Sequence, residues 1–183
     1  MLIRRETPAD RPAVTAVTAA AFAVPDGSVP VEVTLLDGLR DCPDWLPALS
    51  LVAARAPEGT EPPVDGGPED EVLGHVVCTR GHVDGVPALG LGPLSVRPDQ
   101  QRRGVGHALV HTVLGAADAL GEPLVALLGS PAYYGRYGFR PATAYGIEPP
   151  EAAWGAYFQV RALSAYDPGT RGTFAYAEPF RAL

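Results

Sequence analysis

A mixed α/β domain (α+β) is what this sequence predicts, and three observations predict it. The 183 residues are 46% hydrophobic and 19% charged, the proportions of a soluble globular chain able to bury one core. Apolar runs of strand character alternate with segments whose apolar residues recur at helical spacing, in the order β-α-α-β-β-β-α-β-α-β-β. Between the two longest strand-like runs stands Asp84-Gly85, a strong signal for a two-residue hairpin turn. Residues 1–183 are read as a single domain, with 164–183 as a C-terminal extension of it.

Taken in order, "MLIRR" is a short strand. Thr7 then stands as a helix N-cap, with Pro8 at the first helical position and Asp10 three residues after the cap, so a helix follows through Phe22. Val31, Leu35, Leu36 and Leu39 fall at helical spacing and predict a second helix over residues 31–40. "ALSLVAARA" is a strand. Pro57 to Asp70 holds four Pro, three Gly and five acidic residues with nothing to bury, and reads as a long mobile loop inside the domain. "EVLGHVVCTRGHV" and "PALGLGPLSV" are the two arms of the hairpin. Beyond Gly104, the stripe Val105, Leu109, Val113, Ala116 and Leu120 predicts a helix that Gly121 stops. "PLVALLG" is uniformly apolar, as in a strand buried on both faces. A short helix over "PAYYGRY", strands over "GFRPAT" and "YFQVRAL", and an extended or irregular segment from Thr173 to Leu183 complete the chain.

Composition excludes several classes of function. The net charge is −7 and all 14 cationic side chains are arginine, so general nucleic-acid binding is a poor fit. A lysine-free chain rich in Arg, Ala, Gly and Pro is the mark of a GC-rich coding sequence rather than of a function. The apolar runs are too short to span a membrane, the N-terminus turns polar after three residues, and Cys42 and Cys78 stand far apart. A cytoplasmic protein without a disulfide framework is therefore expected. No metal site is expected: His107 and His111 are four apart on a helix but lack the Glu of H-E-x-x-H, and His75 and Cys78 fall on opposite faces of a strand. His82 adds no third ligand. There is no G-x-S-x-G elbow, Cys42 has nothing beside it to activate it, and Trp45 and Trp154 suit core packing as well as a pocket.

The chemistry concentrates at "QRRGVGHALV", residues 101–110. A strand ends there and a helix begins, so free backbone N–H groups and the positive end of a helix dipole meet two glycines and two arginines. Such a corner suits an anion, and equally a plain turn with solvated arginines. A Walker A loop is excluded because the chain has no Lys, and the Rossmann fingerprint fails because Leu109 occupies its third glycine position.

The segment Gln101 to Gly106, Q-R-R-G-V-G, resembles the Q/R-x-x-G-x-G/A signature of the GNAT superfamily of acetyl-CoA-dependent N-acetyltransferases. Pro131 to Ala142, "PAYYGRYGFRPA", is similar to the later Y-x-x-x-G-F motif of that superfamily, with a helix and a buried strand between the two. The order of elements agrees over roughly residues 1–163. The resemblance implies the GNAT fold, a central mixed, mostly antiparallel sheet with splayed strands flanked by helices.

What else it implies is specific. Backbone groups of Leu94, Ser95 and Val96 would hold the pantetheine arm of acetyl-CoA, and a backbone N–H near Val96 would polarise the thioester carbonyl. The pyrophosphate would sit on N–H groups of Arg102, Arg103, Gly104, Val105, Gly106 and His107, next to Gln101, with the two arginines as charge partners. Tyr134 would protonate the departing sulfur, a role open to a phenol that keeps its proton at neutral pH. The acceptor would be an amine attacking the thioester directly, and homodimers are common in the family. A general base is not marked: Glu32, Asp37, His75, Ser130 or a water chain would each serve. With no base evident, a non-catalytic acyl-CoA-binding or regulatory module stays open, as does transfer of a longer acyl chain.

Overall fold

A computed structural model describes residues 1–55 and 70–182. The acidic, proline-rich segment read as a mobile loop lies outside the described residues except for its last member, Asp70, which accepts a hydrogen bond from Arg4 Nε at 3.3 Å.

One sheet runs through the molecule. Its strands are β1 (Leu2–Arg5), β2 (Ser50–Arg55), β3 (Glu71–Val83), β4 (Val86–Val96), β5 (Leu124–Leu128), β6 (Arg140–Pro141), β7 (Ile147–Glu148), β8 (Phe158–Ala162) and β9 (Gly172–Ala175). The main path is β1-β2-β3-β4-β5-β8-β6, and β9 joins the far end of β3 while pairing β7 on its other side. Pairings are antiparallel except β4 with β5 and β7 with β9. The hairpin expected at Asp84-Gly85 forms, with both residues at positive φ as the tight turn demands.

Helices cover both faces. On one side α3 (Val105–Ala119) buries Val105, Leu109 and Val113 against Leu51, Val76 and Cys78. On the other, α1 (Arg11–Ala21) and α2 (Val31–Asp41) pack Val14, Val17, Leu36 and Leu39 on Val52 and Val77. Because β3 lies between these layers, residues of both parities are buried, which is why its sequence is nearly uniform in hydrophobicity. The α3 stripe is wider than expected, with Val110, Leu114 and Ala117 also buried, and it is shorter too. Leu120 lies past the helix end and is exposed, and Gly121 turns the chain at φ +76°. A third apolar cluster, with Ile147, Phe158, Val160 and Phe174, closes the end of the sheet near β9. Among the described residues no helix is long and apolar enough to cross a membrane.

The tail departs from the sequence reading. Residues 172–175 are a true strand, pairing His82↔Ala175 and Val83↔Phe174, and a 3-10 turn follows over Glu178–Ala182. Its partner is the distal end of a strand ninety residues earlier, a pairing that local pattern does not announce.

Candidate active site

β4 makes the site by parting from β5. The two strands pair only at Leu89↔Val125 and Gly90↔Ala126. Beyond Leu91 a bulge at Gly92-Pro93 shifts the register of β4 on β3, and proline has no N–H to offer a neighbour. From there β4 has, among the described residues, a strand partner on the β3 side alone. Arg97 N–H donates to Leu73 O at 2.9 Å, and strand alternation then turns the N–H and C=O of Leu94 and Val96 away from β3, into the gap. Ser95 differs: its backbone faces β3, and its buried hydroxyl lies 3.1 Å from that of Thr18 on α1. Leu94 and Val96 thus present free backbone groups, and Ser95 does not. One acceptor is already met, since Gln101 Nε2 donates to Val96 O at 3.2 Å.

The same strand leads into the start of α3. Arg102 and Gly104 both adopt left-handed backbone, at φ +59° and +90°, and open the helix with Gly104 as its N-cap. A Cβ at Gly104 would meet no atom within 4 Å, so this corner faces open space. Gln101, Arg102 and Arg103 are exposed, and the N–H groups of Val105, Gly106 and His107 head the helix. Gly106 serves packing instead. A Cβ there would come within 2.9 Å of Tyr133 Oη, so its smallness lets α3 approach the next element. That element is α4 (Pro131–Tyr134), seated where β5 ends. His107 keeps its ring for packing, 4.4 Å from that of His111 and 5.4 Å from that of Tyr137.

Tyr134 sits at the mouth of the gap. Ser130 O accepts from the N–H of Tyr133 and of Tyr134, and so sets the turn. The Tyr134 ring lies over Gly129, where any Cβ would overlap it, and packs at 4.8 Å and 5.8 Å from Tyr133 and Phe139. Burial, and then the neighbouring Tyr133, push its phenol up to about 12. It is a protonated donor at neutral pH.

From this point a cavity of about 980 Å³ extends away from α3. Gly92, Pro93, Leu94, Gly129 and Tyr134 line its inner end, and Phe22, Trp154, Tyr176 and Phe180 wall its outer part. Of the four side chains weighed as bases, only Glu32 lines it. Asp37 points outward and pairs with Arg40 at 3.0 Å. Ser130 is exposed at the head of α4. His75 is fully buried below the α1/α2 layer, its Nε2 2.9 Å from Ser50 Oγ and 3.2 Å from Glu6 Oε2. Burial lowers its pKa, keeping the ring neutral. Burial alone would raise Glu6, but hydrogen bonds from His75 and Ser50 and the charge of Arg40 outweigh this and hold the carboxyl at about 2. That network is structural. A second cavity carboxylate, Glu151, escapes a reading of the sequence. It lies on an irregular turn placed by the pairing of β7 with β9, and its only sequence signal is an acidic residue three before Trp154. Among the described residues no group of three or more His, Cys, Asp or Glu is placed to hold a metal ion.

Comparison with known proteins fits this geometry. The family model described as an acetyltransferase (GNAT) domain matches residues 72–142, from β3 through the aromatic turn after Tyr134. The uncharacterized N-acetyltransferase YhbS of Escherichia coli K12 is 30% identical over 184 residues, covering 98% of each chain. A crystal structure of YhbS from Escherichia coli in complex with CoA superposes with a TM-score of 0.81 at 29% identity, over 98% of this chain and 91% of that one. A GNAT family acetyltransferase from Brucella melitensis in complex with acetyl-CoA gives 0.72 at 31% identity, over 98% and 97%.

Proposed function

We propose, from the premise that the chain belongs to the GNAT family of N-acetyltransferases, that acetyl-CoA is its acyl donor and that the acetyl group passes directly to an amine bound beside it. The observation that carries this reading is the continuity of three features along one path: the open α3 corner, the unpaired edge of β4, and the cavity beyond Tyr134.

Each feature suits one part of the donor. The N–H groups of Val105, Gly106 and His107, at the positive end of a fifteen-residue helix, suit the pyrophosphate, and Arg102 and Arg103 stand beside them as charge partners. The amide-bearing arm fits the free groups of Leu94 and Val96, as a strand added to an open edge. The thioester then falls between the Gly92-Pro93 bulge and Tyr134, at the inner end of the cavity.

The reaction needs three proton transfers. Glu32 or Glu151 takes a proton from the entering ammonium, and the free amine attacks the thioester carbon. The Leu94 N–H, the free donor next to the bulge, supports the developing oxyanion. The carbon–sulfur bond then breaks, Tyr134 gives its proton to the leaving sulfur, and the surplus proton on the nitrogen passes to the Tyr134 oxygen, leaving a neutral amide. Holding both reactants in one cleft supplies several kcal/mol by orientation alone.

Two measurements test the reading. Saturating acetyl-CoA should raise the melting temperature, since a ligand at about a hundred times its Kd adds roughly 2.7 kcal/mol. Thiol release should follow only when an amine is added. An unchanged melting temperature at millimolar acetyl-CoA defeats the proposal, and binding without thiol release across a broad amine panel would favour a non-catalytic acyl-CoA-binding module.

A further inference from the structure

We propose that the acceptor is a small monoamine on an aromatic or similarly apolar body, with its ammonium directed to Glu32 and Glu151. This rests on the acetyltransferase reading and deepens it.

The outer cavity is built mainly of rings. Tyr176 packs against Phe174 at 4.7 Å, Phe180 at 4.5 Å and Trp154 at 6.2 Å, so four aromatic side chains form one continuous wall. The wall is set from behind by Gly90, where a Cβ would come within 2.6 Å of the Tyr176 ring. Rings fixed by one another lose little freedom when a guest arrives, and their faces attract both apolar bodies and cations.

The charges within this lining are few and unspent. Glu32 comes from α2 and Glu151 from the turn after β7, and neither makes an ion pair or side-chain hydrogen bond among the described residues. The buried or partly buried Glu6, Asp10 and Glu122 are, by contrast, each held by arginine. The one lining cation among the described residues, Arg181, is exposed at the end of the wall. One ammonium is therefore welcome beside either carboxylate, whereas a second, further along the same guest, meets Arg181.

A cavity of about 980 Å³ suits a compact guest, and β9 closes it on the tail side through its pairing with β3 and β7. The occupant this leaves is compact, singly charged and apolar elsewhere.

The test compares 2-phenylethylamine, spermidine, alanine amide and a short peptide as acceptors, by thiol release with the purified full-length chain. 2-Phenylethylamine should exceed each of the others in kcat/KM by about tenfold, a margin of roughly 1.4 kcal/mol. Trp154→Ala and Glu151→Gln should each raise its KM several-fold, while the melting shift given by acetyl-CoA stays as in the parent chain. That shift shows the variants to be folded and donor-competent. Equal or better use of spermidine, alanine amide or the peptide overturns the proposal and leaves the acetyltransferase reading standing. So does an unchanged KM in both variants. If acetyl-CoA gives no shift even in the parent chain, the underlying reading has failed as well.

Discussion

Replacing Gly106 with alanine sets two opposed effects against each other at the start of α3. Alanine is favoured over glycine in a helix by about 1 kcal/mol. Its Cβ, however, would lie 2.9 Å from Tyr133 Oη, with Val96 Cγ2 next at 3.5 Å. The Tyr133 ring has little room to retreat: Tyr134 and Tyr137 pack against it at 4.8 Å and 5.7 Å, and the Arg136 guanidinium lies 5.2 Å from its centre. Overpacking of this kind costs about 1–3 kcal/mol. With about 2 kcal/mol lost and about 1 gained, Gly106→Ala should lower stability by about 1 kcal/mol, a drop in Tm of about 2–4 °C for a chain of this length. Tyr133→Phe deletes the one atom in conflict and leaves Val96 at an ordinary distance. In that background the same alanine should stabilise by up to about 1 kcal/mol. Thermal or urea unfolding of the four proteins closes a cycle with a coupling of about 2 kcal/mol. A coupling within about 0.5 kcal/mol of zero would refute the idea that Gly106 is glycine because of Tyr133.

Three further outcomes are expected. Tyr134→Phe should lower kcat about a hundredfold with the acetyl-CoA melting shift intact; full turnover would remove Tyr134 from the acid role. Gly172→Ala forces a side chain onto a φ of +124° and into the Asp84 carboxylate, which accepts the Thr173 N–H at 3.1 Å, so β9 should loosen by about 2 kcal/mol and the KM for the acceptor should rise. An unchanged acceptor KM would separate β9 from the cavity wall. Acid should destabilise the chain in two stages. His75, held neutral, refuses the proton that the unfolded chain takes below about pH 6.5, and Glu6, at about 2 in the fold, loses its contribution as pH falls from the ordinary carboxylate range toward that value. Tm should be level above neutrality and fall steadily below it, and Glu6→Gln, which leaves Arg40 buried without its main partner, should cost about 3 kcal/mol at neutral pH. A Tm indifferent to pH down to about 4 would contradict this account.

Much of the scaffold is legible in residue pattern alone, because its signals are local. The Asp84-Gly85 turn, the α3 stripe and the buried run of β5 each announce themselves within a dozen residues. Gly104, Gly106 and Tyr134 are marked by short motifs whose geometry is also local. What escapes depends on pairings distant in sequence. Position along the strand groups Ser95 with Leu94 and Val96, but which of them faces the gap is decided by the register on β3 and by the bulge at Gly92-Pro93. As a residue type His75 is as available as Glu32, yet the fold turns it toward Glu6 and Ser50. Glu151 and the tail residues Tyr176 and Phe180 reach the cavity only because β7 and β9 close on the end of β3. No period or motif in the tail carries that information.

The parting of β4 from β5 also leaves the sheet with a narrow backbone seam. Two backbone pairs join the β1–β4 half to the half built on β5, β8 and β6, with α3 packed across the seam. A guest whose amides bond along Leu94 and Val96 while its other end rests on the far half works as a clasp. Part of the continuity of the plate is then supplied by the guest rather than by the polypeptide.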